Sequence, residues 1–115
     1  MIIRHSEEVP SKLVKEEGVE GVYKQRLLTP EDGAPNFTMR KFTVEKGGYT
    51  FYHEHDFEHE VYILEGQGVA RKVDDEIEIK AGDAILVPAG EVHQFVNRGD
   101  GKFVFLCLIP NDAKM

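Results

Sequence analysis

Three of the five histidines of this 115-residue chain fall in the run His53-Glu54-His55-Asp56-Phe57-Glu58-His59, and a fourth is His93. Only His5 stands apart, as a lone polar residue near the N-terminus. Neutral imidazole is the commonest protein metal ligand. His53 and His55 are two residues apart, which puts both side chains on one face of a β-strand. The spacing predicts a metal site of four histidines, His53, His55, His59 and His93, built in β-structure. A helical zinc-protease site would use His55 and His59 at i, i+4. It requires Glu directly after the first histidine, and Asp56 stands there.

The elements that must position these side chains are strands. Short runs rich in Val, Ile, Phe, Tyr and Thr predict strands at Val22–Leu28, Phe37–Val44, Tyr49–His53, His59–Glu65, Val69–Val73, Glu76–Lys80, Ala84–Val87, Val92–Val96 and Phe103–Ile109. Turn residues separate them, among them Gly47-Gly48, Gly66-Gln67-Gly68, Gly82-Asp83 and Pro88-Ala89-Gly90. Many short strands at this spacing mean an all-β sandwich or barrel. Pro10–Glu17 is the one stretch with the makings of a helical turn. Residues 1–20 read as an N-terminal segment and residues 21–115 as the barrel. The apolar start Met1-Ile2-Ile3 would be a frayed terminus if loose, or an edge or dimer strand if paired.

The glycines and proline around the histidines complete the pattern. Gly47, His53, His55, His59 and Gly66 form one series, and Gly82, Pro88, Gly90, His93 and Asn97 a second. This resembles the two motifs of the cupin superfamily in their correct order. The second motif matches at every fixed position. The first departs once, with His59 where the family usually has Glu. Glu60 is next door, but His59 keeps the interval to Gly66, and strand parity sets it with Val61 and Ile63 while Glu60 falls on the opposite face. The four-histidine version also occurs in small single-domain cupins, and Asn36–Arg40 and Phe103–Pro110 look like those proteins too. The resemblance implies a double-stranded β-helix, the jelly-roll barrel, with one divalent transition metal per chain. Manganese or iron is the first expectation, and zinc, nickel, cobalt or copper also suit imidazole. It also points to a homodimer.

Further candidates follow from parity. Arg40 alternates with Thr38 and Phe42, and reads either as an outer-surface charge or as a clamp for a substrate carboxylate near the metal. Phe95 reads as barrel filling or substrate contact. On the last strand Phe103, Phe105 and Cys107 share one face and Val104, Leu106 and Leu108 the other. Both are apolar, and the phenylalanine face is expected inward, since bulky aromatics fill a barrel. Cys107 then reads as a small buried hydrophobe or as a thiol near the cavity.

Bulk composition bounds the rest. A net charge of −7 argues against a nucleic-acid or anionic-membrane surface. One cysteine excludes an intrachain disulfide framework and, with no visible signal peptide, suggests a cytoplasmic protein. No strand-to-helix GxGxxG or P-loop is present. The expected function is a metal-dependent oxygenase or other oxidoreductase acting on a small organic molecule. The alternatives are a non-catalytic metal- or ligand-binding cupin, and a metal-dependent isomerase or lyase on a sugar or keto acid.

Overall fold

A computed structural model describes residues 1–113. Among the described residues nine strands carry the fold: β1 (Lys12–Leu13), β2 (Glu20–Leu28), β3 (Phe37–Tyr49), β4 (His59–Glu65), β5 (Gln67–Arg71), β6 (Glu76–Lys80), β7 (Ala84–Val87), β8 (Gln94–Val96) and β9 (Phe103–Pro110). The helical content of the described residues is two three-residue 3-10 turns, Ser6–Glu8 and Pro30–Asp32. Every strand pairing is antiparallel, in the order β6-β5-β8-β3-β9-β4-β7, with β2 also on β3 and β1 on β2. The long β3 is the branch point. Its first part pairs with β2 and β9, and its last residue, Tyr49, pairs with Val96 of β8. The sheet curls on itself there into an all-β jelly-roll barrel.

Two local expectations are corrected. Gly47-Gly48 does not end a strand. Val22 pairs with Val44 and Glu20 with Tyr49, so the glycines lie in an irregularity of a continuous β3 opposite Gly21. Gly47 has φ +80°, and a Cβ on Gly48 would stand 2.5 Å from the Glu20 carbonyl. Glycine serves here for close backbone approach inside a strand. The expected separate strand Tyr49–His53 does not form: Tyr49 is the end of β3, and beyond it Thr50 N donates to Phe95 O (2.9 Å) and His53 makes an isolated bridge to His93. The stretch Pro10–Glu17, which offered at most a helical turn, contains the short edge strand β1 (Lys12–Leu13) instead. Its backbone pairs with β2 at Lys24 and Tyr23, and that pairing outweighs a weak helical propensity.

The interior is apolar and aromatic. Val44, Ile63 and Phe103 are fully buried, and Val22, Val61 and Phe105 nearly so. Each such side chain stabilises the fold by roughly 1.5–3 kcal/mol. The Asn97 amide is buried at the end of β8. It donates to Val44 O (2.9 Å) and Gly101 O (2.8 Å) and accepts from Gly99 N (2.9 Å), tying the β8–β9 turn to β3. The N-terminal segment lies along β2. Arg4 pairs with Asp32 (2.9 Å), and Gln25 Nε2 donates to Ser6 O (2.7 Å) and Val9 O (3.1 Å). Met1, Ile2 and Ile3 are exposed.

Candidate metal centre

Backbone pairings between distant segments bring the histidines together. His53 and His93 face each other as an antiparallel bridge, exchanging hydrogen bonds of 3.1 and 2.9 Å. His55 lies two residues on, and its carbonyl accepts from Gly90 N (2.8 Å). His59 opens β4 opposite Val87, with its ring buried. Ring centroids are 5.0 Å apart for His53 and His55, 5.1 Å for His55 and His93, and 5.0 Å for His59 and His93. One ligand nitrogen from each of His53, His55 and His93 lies within 4.8 Å of the other two. His59 presents its Nε2 to His55 Nε2. Glu60 is exposed on the other face of β4.

The outer ring nitrogens of three of the four histidines are occupied. His55 Nδ1 bonds to Phe57 O (3.0 Å), His93 Nδ1 to Glu91 O (2.8 Å) and His59 Nδ1 to Cys107 Sγ (3.1 Å). A carbonyl can only accept, so His55 and His93 donate from Nδ1. Their Nε2 atoms are then unprotonated whenever the rings are neutral, as metal ligation demands. Burial disfavours the charged form of the His53, His59 and His93 rings. It lowers the pKa of His53 to about 4 and that of His59 to about 3, with the neighbouring imidazoles adding to the effect in both, and it lowers that of His93. This donor set suits a borderline transition metal and is a poor match for calcium or magnesium, which take oxygen ligands.

The cluster opens into a cavity of about 410 Å³. Five phenylalanines line it: Phe42, Phe51, Phe57, Phe95 and Phe105. Val14, Val19 and Val22 add aliphatic wall, and Arg40, Lys24, Glu16 and Glu54 supply charge. The cupin-domain family model matches residues 40–109, a span that contains this whole cluster. The chain belongs to the cupin family.

Named relatives agree with that placement. This cupin is 30% identical over 112 residues to an oxalate-binding protein of Thermotoga maritima, covering 95% of this chain and 93% of the relative. It superposes on a polyketide cyclase from Streptomyces resistomycificus with a TM-score of 0.92 at 33% identity, covering 97% of this chain and 80% of that one. A predicted oxalate decarboxylase from T. maritima gives a TM-score of 0.82 at 30% identity, with 96% and 98% covered.

The structure decides two questions that parity left open in this cupin. Arg40 is not an outer-surface charge. It is 3% exposed, sits directly opposite Cys107 across the β3–β9 ladder, and lies over the Phe42 ring at 5.0 Å. The phenylalanine face of β9 looks inward, so Phe105 and Cys107 line the cavity with Phe95. Burial raises the Cys107 pKa, partly offset by the Arg40 charge. His5 is remote from the site and caps the first 3-10 turn by accepting from Glu7 N (3.1 Å). Lys24 is one of the charged cavity residues the sequence reading missed, with Glu16 and Glu54. Its signal is inward parity with Val22 on β2, and burial followed by the Arg40 charge lowers its pKa.

Proposed function

We propose that this cupin holds one divalent transition ion through His53, His55, His59 and His93, and that it is an oxygenase for a small organic anion with an apolar body. The observation that carries the reading is the wall of the cavity around the cluster: five phenylalanines beside Arg40 and Lys24. Four neutral imidazoles leave a divalent ion its full positive charge, and Arg40 adds another buried cation. Such a site favours an anion such as a carboxylate or an enolate. The aromatic walls would take the apolar body of the substrate and keep water from it. Bound manganese or iron would supply Lewis acidity and one-electron chemistry with dioxygen. Arg40 would orient the anionic end through its planar fork.

A second reading is a non-oxidative lyase, isomerase or cyclase. Lys24 supports it, because an amine of lowered proton affinity in a cavity can move a proton. The polyketide cyclase relative points the same way. The oxalate-binding relative supports a binding role for small dianions.

The deciding experiment is elemental analysis of protein from its native source, followed by oxygen uptake with carboxylates, enolisable diketones and phenols. Turnover that stops under nitrogen supports the oxygenase. Turnover that continues under nitrogen supports the lyase or cyclase. Tight binding of oxalate without turnover of any substrate supports the binder.

A further inference from the structure

The imidazoles of His55 and His93 are held from behind by carbonyls two residues away in the chain, Phe57 O and Glu91 O. His59 is held differently. It is the first residue of β4, paired with Val87 of β7, and the atom behind its ring comes from another strand. Three neighbouring strands set that arrangement. Arg40 of β3 is directly opposite Cys107 of β9, and Cys107 is directly opposite Val61 of β4. His59 is two residues before Val61, so its side chain lies on the same inward face, diagonal to Cys107. Two nitrogens meet one sulfur there, His59 Nδ1 at 3.1 Å and Arg40 Nη2 at 3.1 Å.

We propose that Cys107, aimed by Arg40, is the positioning residue for the His59 imidazole. Its sulfur accepts the Nδ1–H of His59 and so turns the Nε2 lone pair toward the other three histidines. The inference rests on the four-histidine reading of the metal centre. Guanidinium can only donate, so the Arg40 contact makes the sulfur an acceptor on that side. A thiol hydrogen is then directed away from Arg40, and the remaining question is whether it points at His59. If it did, His59 would carry its proton on Nε2, aimed at His55 Nε2, and could not ligate. If it does not, Nδ1 is the donor and Nε2 is free. Only the second arrangement lets all four rings serve as ligands. It requires lone pairs on sulfur and no change in the ionisation of the thiol. Cys107 thus has the orienting role that a carbonyl has for His55 and His93.

The test uses the full chain with Cys107→Ser, Cys107→Val and Cys107→Ala. Long-range proton–nitrogen spectra of the metal-free proteins report the His59 tautomer. Cobalt(II) titration against a competing chelator reports affinity, and the cobalt absorption bands report ligand geometry. The wild type should show His59 protonated on Nδ1. Serine keeps an acceptor and should bind cobalt within about threefold of the wild type. Valine and alanine, whose thermal unfolding shows whether they fold, should lose the single tautomer, bind about 10- to 100-fold more weakly and shift the cobalt bands. Folded valine and alanine variants with wild-type tautomer, affinity and spectrum would overturn the proposal. A wild type that binds no cobalt, or a His59→Ala variant that binds it equally well, would instead overturn the four-histidine reading. Loss in His59→Ala without loss in the Cys107 variants overturns the positioning role alone.

Discussion

At the scale of single residues, the departure of His59 from the usual family pattern is the most informative feature of the site. His59 is buried and presents Nε2 to His55, while Glu60 is exposed on the opposite face of β4. His59→Ala is therefore expected to weaken transition-metal binding by at least about tenfold, the scale of losing a contact that shapes the site. Glu60→Ala should change it by less than about twofold. Chelator competition on both variants checks this, and an equal or larger loss for Glu60→Ala would move the ligand to the carboxylate. The same imidazoles make the metal-free protein acid-sensitive. Unfolded histidines take up protons near pH 6.5, whereas burial holds folded His53 neutral to about 4 and His59 to about 3. Between these values the unfolded chain binds more protons than the folded one. Stability should therefore fall as pH falls from about 6.5 toward 4. Urea midpoints of metal-free protein across that range measure it. A histidine-to-glutamine double variant at 53 and 59 should flatten the curve.

Among the elements, β3 decides the most. It carries Arg40 and Phe42 into the cavity, spans the junction of the curled sheet and leads into the segment that holds His53. Its junction with β8 depends on Asn97, whose buried amide donates to Val44 O and Gly101 O. Asn97→Ala would strip a buried β3 carbonyl of that donor and leave a gap. The expected cost is about 2 kcal/mol, read from the shift of the urea midpoint at unchanged slope. A shift under about 0.5 kcal/mol would show that a water or a rearranged turn replaces the amide.

The whole molecule presents an outer sheet face that does not follow the inside-apolar, outside-polar alternation of a solvated antiparallel sheet. Tyr62 and Leu64 of β4 and Leu86 of β7 are exposed there, with Leu106 and Leu108 of β9 between β4 and β3. The exposed arm Met1–Ile3 adds more apolar surface, beside a segment tied to β2 through Arg4 and Gln25. We expect a two-fold homodimer in which this face meets its own copy and the arm crosses to the partner. An interface of standard size takes about 800 Å² from each partner. Light scattering at micromolar concentration should give twice the chain mass, and Tyr62→Lys with Leu86→Lys should give the monomer. A monomeric wild type would refute the interface. No helix among the described residues is long and apolar enough to cross a membrane.

The sequence by itself determined most of the strands, the family and the clustering of the histidines, because a period of two and fixed glycine and proline offsets are local properties of the chain. His53 and His55 share a face whatever the rest of the molecule does. The phenylalanine side of β9 could be favoured from side-chain size alone. Other features depended on residues distant in the chain. Gly47-Gly48 looked like a turn, and became an irregularity inside β3 because β2 supplied a pairing partner through Glu20. Arg40 carried no local sign of burial, since an arginine between Met39 and Lys41 fits either face of a sheet. Its place was set by the register of β3 against β9, which puts Cys107 opposite it and His59 diagonal to both. Lys24 entered the cavity by the same route, through the pairing of β2 with β3. Register between strands 48 to 67 residues apart is decided by tertiary packing, because only the closed sheet can choose which apolar face to bury.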